Sequence, residues 1–236
     1  MAAGRILIVD DDEDIRANFS DILCELGYET SLAGDGESAL QLVREKEYDV
    51  VLLDYQMPGM DGATLYDAIK KVRPSIAGIM VTAWAGSDGA QRARDAGTWE
   101  VLRKPVDIAE LLGKIQLATA APLVLVVDDD HAFCQMLWRL LNERRFRVAI
   151  AHTEEDGIRQ VSNSEYQVAI VDLKLGQGDG VNVIRRIQQA VPSTKTFLVS
   201  GNLRNAISAS QEFEEAVIEA VLEKPLKLES INRMLG

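Results

Sequence analysis

Five side chains set the chemistry open to the first half of this chain: Asp10, Asp11, Asp54, Thr82 and Lys104. The two neighbouring acids close the aliphatic run Arg5-Ile6-Leu7-Ile8-Val9, and Asp54 closes Val50-Val51-Leu52-Leu53. Thr82 follows Ile79-Met80-Val81, and Lys104 precedes Pro105. Carboxylates gathered within a few Å repel by about 1 kcal/mol per pair in water and by several at lower effective dielectric. Three together call for a cation, and hard, oxygen-seeking Mg²⁺ takes one or two carboxylates, a carbonyl and waters. A carboxylate nucleophile, a metal, a hydroxyl donor and an ammonium together make a site for moving a phosphoryl group, where positioning and charge neutralisation supply most of the catalysis.

The same constellation occurs twice. Leu123-Val124-Leu125-Val126-Val127 ends in Asp128, Asp129 and Asp130, an offset of 118 from the first copy. At that offset Asp54 maps to Asp172, Gly62 to Gly180 and Thr82 to Ser200, while Lys104-Pro105 maps to Lys224-Pro225 at 120. An internal repeat of this kind reads as two related domains, 1–120 and 121–236, joined only by the short Ala-rich stretch ending at Pro122.

The elements that position these groups follow from periodicity. Continuous aliphatic runs suit strands buried on both faces, and the segments between them carry apolar residues at helical spacing, such as Ile15, Phe19, Ile22, Leu23 and Leu26. In the first copy strands are expected near 5–9, 28–33, 49–53, 77–82 and 99–102, with helices near 13–26, 36–46, 61–72, 87–96 and 107–119. Alternating strand and helix five times per copy predicts α/β architecture: two flavodoxin-like, doubly wound (βα)₅ domains with parallel sheet order 2-1-3-4-5. Strands one and three are neighbours in that order, so the acids of each copy converge at the strands' carboxyl ends.

Composition removes several function classes. A net charge of −12 opposes a nucleic-acid groove, which needs a basic face, and the halves carry −9 and −3. No apolar run approaches the roughly 18 residues of a membrane span, and the start reads as a strand rather than a signal peptide, so a cytosolic protein is expected. Cys24 and Cys134 stand far apart, which argues against a disulfide framework or zinc site and predicts two buried thiols. Asp12 and Asp130 read as helix caps, and His131 and His152 as structural or exposed.

With these residues in place, both halves resemble response-regulator receiver domains of the CheY-like family. The resemblance rests on the acid pair, the Asp-x-x-(Met-Pro)-x-x-Asp-Gly frame, the Thr/Ser and the Lys-Pro, in order and twice over. It implies that Asp54 and Asp172 accept a phosphoryl group from the phosphohistidine of a sensor histidine kinase or histidine phosphotransfer protein. It implies Mg²⁺ held directly by Asp11 and Asp129, through water by Asp10 and Asp128, and by the carbonyls of Gln56 and Lys174. Thr82 and Ser200 would hydrogen-bond the phosphoryl oxygens, and Lys104 and Lys224 would pair with them. Asp54 is expected to be the principal acceptor, because the first copy matches the pattern more closely.

Departures from the pattern define further expectations. Val101 and Val221 stand where receivers usually place an aromatic, and Trp99 is expected on the same strand face as Val101. The second copy has Leu175-Gly176 in place of Met57-Pro58, Gly201 after Ser200, and a longer segment from Asn202 to Glu215. Cys134 and Trp138 replace Arg16 and Ser20, leaving open a contact surface or burial. Only Leu226–Gly236 follows Lys224-Pro225, so a stand-alone tandem receiver is expected: not an enzyme, and signalling through contacts with a downstream protein target, with a homodimer left open. A longer regulator whose effector is absent is the alternative. A haloacid-dehalogenase-like phosphatase is remote, because Gln56 and Lys174 stand where that chemistry needs a second acid.

Overall fold

The computed structural model describes residues 4–83, 88–211, 213, 217–226, 229 and 231. The chain divides into two compact units, the main run of the first ending at Ala121 and the second beginning at Pro122. Among the described residues no helix is long and apolar enough to cross a membrane.

In the first unit the order is β1 (Arg5–Val9), α1 (Glu13–Glu25), β2 (Glu29–Ala33), α2 (Gly36–Glu45), β3 (Val50–Asp54), α3 (Gly62–Val72), β4 (Ala77–Thr82), α4 (Asp88–Asp95), β5 (Glu100–Arg103) and α5 (Ile108–Thr119). The strands form one sheet in the order β2-β1-β3-β4-β5, and the recorded pairings are all parallel. Alternation through β1 and β3 explains why helices must cover both faces. Leu7, Val9, Val51 and Leu53 enter one apolar cluster, while Ile6, Ile8, Val50 and Leu52 enter another with Leu23, Leu111 and Ile115. Each fully buried aliphatic side chain of this kind contributes about 1.5–3 kcal/mol. Helix starts are set by carboxylates: Asp12, Asp35, Asp61 and Asp107 each accept from amides of the first turn.

The second unit repeats this plan with β6 (Leu123–Val127), α6 (His131–Glu143), β7 (Arg147–Ala151), α7 (Glu154–Asn163), β8 (Val168–Asp172), β9 (Lys174–Leu175), β10 (Gly178–Asp179), α8 (Gly180–Ala190), β11 (Lys195–Ser200), α9 (Leu203–Ser210) and β12 (Ile218–Glu223). Its main sheet runs β7-β6-β8-β11-β12, which is again 2-1-3-4-5 counted within the unit. Asp130 accepts from the amides of Ala132 and Phe133, so it caps α6 as expected. The strictly alternating plan is incomplete in one place: β9 and β10 pair antiparallel as a small hairpin directly after Asp172. Of the expected closing helix of this unit only Glu229 and Ile231, both helical, are described, and part of the Asn202–Glu215 segment lies outside the described residues.

Two expectations need correction. Cys24 is exposed, unlike Cys134. The buried stripe of α1 passes through Leu23, and the next residue turns about 100° away, where Cys24 Sγ meets Thr30 Oγ1 at 3.3 Å. Trp99 does not share the face of Val101: it packs with Leu102 in the cluster of Ile6 and Ile8, while Val101 lies against the opposite one. Regular β5 begins only at Glu100, so strand alternation does not extend back to Trp99. Of the two residues left open between contact surface and burial, Cys134 joins Leu137 and Leu141 as a fully buried residue of α6, and Trp138 is half-buried.

Candidate phosphoryl-acceptor site

Strand register delivers the site residues to one edge. β1 and β3 pair through Val9↔Leu53, β3 and β4 through Asp54↔Val81, and β4 and β5 through Thr82↔Arg103. Asp10, Asp54, Thr82 and Lys104 therefore emerge side by side where the strands end. The amide of Lys104 extends the ladder by donating to the Thr82 carbonyl at 2.8 Å. Asp10, Asp11 and Asp54 each bring a carboxylate oxygen within 4.8 Å of the others. Asp10 and Asp54 are buried, Asp11 is exposed, and Thr82 is buried.

Lys104 closes the cluster. Its Nζ lies 2.7 Å from Asp54 Oδ2 and 3.2 Å from Asp10 Oδ2. The remaining oxygens are held by amides: Asp12 N–H donates to Asp10 Oδ1 at 3.0 Å and Gln56 N–H to Asp54 Oδ1 at 3.2 Å. Burial raises the Asp10 pKa despite the Asp12 amide and the Lys104 charge. Lys104 loses some basicity to burial, but its hydrogen bond and attraction to Asp54, followed by Asp10, leave its pKa above the ordinary value. It stays an ammonium wherever the acids are ionised.

The second unit reproduces the pocket. Asp128, Asp129 and Asp172 form an equivalent cluster within 4.8 Å, again buried, exposed and buried. Lys224 Nζ lies 2.6 Å from both Asp128 Oδ2 and Asp172 Oδ2. Lys174 N–H donates to Asp172 Oδ1 at 3.3 Å, and Ser200, at the end of β11, accepts from Asn202 N–H at 3.1 Å. Burial raises Asp128 above the usual carboxylate range against the pull of Lys224. Lys224 is itself held up by Asp128 and Asp172 against the opposing effect of burial.

Sequence reasoning missed several supports. Phe133 places its ring 4.7 Å from Lys224 Nζ, a cation–π contact, where the first unit has Ile15. Arg16, Cys134 and His152 donate to backbone carbonyls beside the acids. The Asp-Gly pairs noticed in sequence have a steric cause: a Cβ on Gly62 would sit 2.3 Å from the Asp54 carbonyl oxygen, and one on Gly180 1.9 Å from that of Asp172. The first turns of α3 and α8 thus close directly against the ends of β3 and β8, with Gly62 N–H donating to Tyr55 O and Gly180 N–H to Leu173 O. The donor set of each pocket, three clustered carboxylates with a single ammonium, fits a hard divalent cation.

Among known proteins, the family model for the response regulator receiver domain matches residues 6–116 and again 124–235. A response regulator receiver protein of Anaeromyxobacter sp. is 34% identical over 199 residues, covering 84% of this chain and 82% of that protein. Sporulation initiation phosphotransferase F of Bacillus subtilis is 36% identical over 111 residues, covering 47% of this chain and 90% of that protein. The transcriptional regulatory protein PdtaR of Mycobacterium tuberculosis is 38% identical over 119 residues, 49% of this chain, and the chain spans 57% of its length.

Proposed function

Because this chain belongs to the response regulator receiver domain family, we propose that it is a two-receiver response regulator whose Asp54, and in second rank Asp172, takes a phosphoryl group from a phosphohistidine. The donor is a sensor histidine kinase or a histidine phosphotransfer protein. In the transfer a carboxylate oxygen of Asp54 bonds to phosphorus while the phosphorus–nitrogen bond breaks and the imidazole keeps its electron pair. Lys104 offsets the charge of the acceptor and then pairs with a phosphoryl oxygen, and the Thr82 hydroxyl donates to another. Gln56 N–H holds the acceptor's Oδ1 in place beforehand. Lys224, Ser200 and Lys174 N–H act likewise around Asp172.

Mg²⁺ at Asp10, Asp11, Asp54 and the Gln56 carbonyl, and at Asp128, Asp129, Asp172 and the Lys174 carbonyl, supplies charge neutralisation when bound. The protein is a phosphoacceptor that turns over its own phosphoryl group rather than an enzyme acting on a separate substrate. Each domain passes its state on through contacts with a downstream protein, self-association included, shifting a pre-existing equilibrium by about 1–3 kcal/mol. The reading places the chain in the cytosol with its donor, and its net charge of −12 speaks against nucleic acid as the partner.

One observation carries this reading: in both units a lysine bridges two of three clustered carboxylates at the carboxyl edge of a parallel sheet. Intact-mass analysis after acetyl phosphate and Mg²⁺ tests it, on the wild type and on Asp54→Asn and Asp172→Asn separately. Two phosphoryl groups on the wild type and one on each variant are expected, with slower labelling when only Asp172 remains. No labelling of the wild type overturns the reading, and loss of all labelling in Asp172→Asn alone reverses the ranking.

A further inference from the structure

The carbonyl oxygen of the first acid lies beyond the last ladder registers, Val9↔Leu53 and Val127↔Val171, and is met by side chains instead. A backbone acceptor buried in such a place needs a donor. In the first unit Arg16 Nη1 donates to Asp10 O at 2.6 Å. Its guanidinium lies over Gly34, where an added Cβ would stand 3.4–3.6 Å from Nη1, Cζ and Nη2. At the offset of 118 the second unit has Cys134 for Arg16 and His152 for Gly34. There His152 Nδ1 lies 2.9 Å from Asp128 O, and Cys134 Sγ donates to the same oxygen at 3.3 Å. Facing a carbonyl oxygen, Nδ1 is the protonated nitrogen of the ring.

Both residues change together for a geometric reason. The guanidinium reaches the carbonyl from α1 across Gly34, where a Cβ would already touch it and a longer side chain would lie against it. The imidazole reaches the same oxygen from that second position, and the small Cys134 on α6 meets it there too. The carbonyl belongs to the peptide joining the first acid to the second. Holding its oxygen fixes the plane of that peptide, and with it the direction in which the exposed Asp11 or Asp129 leaves the backbone.

We propose that Arg16 with Gly34, and Cys134 with His152, are interchangeable positioning pairs that hold the Asp10–Asp11 and Asp128–Asp129 peptides and thereby set the cation affinity of each pocket. The proposal rests on the reading of these acids as Mg²⁺ ligands. The test uses the full chain with Asp129→Asn, so that Mg²⁺ uptake followed by calorimetry reports the first domain. Arg16→Cys and Gly34→His are each expected to weaken Mg²⁺ binding about tenfold, the scale on which partners of ligand groups act. The double variant is expected to return to within about threefold of its parent. Arg16→Lys should keep more affinity than Arg16→Met, and the reciprocal exchange, Cys134→Arg with His152→Gly in an Asp11→Asn chain, should behave alike.

Thermal unfolding in excess chelator separates positioning from folding. Variants that melt earlier but bind Mg²⁺ as the parent does overturn the proposal, as does a double variant no better than the worse single one. A parent that takes up no Mg²⁺ overturns the functional reading and this proposal together; a parent that binds normally, with a series that does not respond, overturns this proposal alone.

Discussion

After Asp54 the chain runs through Tyr55, Gln56, Met57, Pro58, Gly59 and Met60, and apolar contacts hold it: Met57 is buried, and Met60 lies over Gly36, where an added Cβ would meet its sulfur at 3.2 Å. After Asp172 the corresponding run folds into the β9–β10 ladder, and polar contacts join the buried Leu173 and Leu175 in holding it. Glu154, which occupies the position of Gly36, accepts from Asp179 N–H at 2.7 Å and from Asn182 Nδ2 at 2.8 Å. Gly178, which occupies the position of Met60, must be small, because a Cβ there would approach that of Glu154 to 2.7 Å. The bulk has moved from loop to helix across one contact while Met57 and Leu175 stay buried. Arg16 with Gly34 and Cys134 with His152 follow the same rule. The two copies have diverged by exchanging partners across a contact, which leaves the acids where they were.

The thiols offer the largest contrast. Exposed Cys24 should react with Ellman's reagent in native protein at pH 8 within minutes. Burial first, then the charge of Asp128, pushes the Cys134 thiol up to about 12. About one molecule in ten thousand is then ionised at pH 8, so its reaction should be at least about a thousandfold slower. Equal rates for both thiols would show that the α6 stripe is not packed as described.

Next come the glycines at the starts of α3 and α8. Gly180→Ala should destabilise the second unit by about 3 kcal/mol, the upper range for forcing atoms into a packed site, since the Asp172 carbonyl it strikes is backbone and cannot swing aside. Gly62→Ala should cost the first unit slightly less. Hydrogen exchange of the β6 and β1 amides reads each unit separately, and a neutral Gly180→Ala would sink the close-approach account.

The smallest effect tests the loop exchange itself. Glu154→Ala removes both ties to the hairpin and should cost about 1–2 kcal/mol in the second unit. Gly36→Ala should stay within about 1 kcal/mol, because its one tight contact, at 3.2 Å, is with the flexible end of Met60. Denaturant unfolding monitored by exchange at β8 and β3 ranks the pair; the reverse order would mean that polar and apolar anchoring are not equivalent.

Much of this was legible in the sequence because two signals coincide. Aliphatic runs such as Val50–Leu53 can be buried on both faces only in a covered sheet, and each ends in a residue whose charge must reach the edge. Repetition at a fixed offset then assigned Asp10, Asp54, Asp128 and Asp172 to matching places. The β9–β10 hairpin was not legible, since strands of two residues have no period to read. Cys24 and Trp99 were misplaced where one step around a helix, or one residue before a strand, decides the face. The contacts of Arg16 and His152 were not legible because their partner is a backbone carbonyl, which every residue carries and no composition reveals.

Each pocket sets one ammonium against three carboxylates, so with all four groups ionised its formal charge is minus two. A monovalent ion would leave such a pocket anionic, and a divalent one would balance its formal charge. With its formal charge balanced, a pocket would add nothing to the field around it, and the charge left to act at a distance is that of the surrounding residues, more acidic in the first half of the chain than in the second.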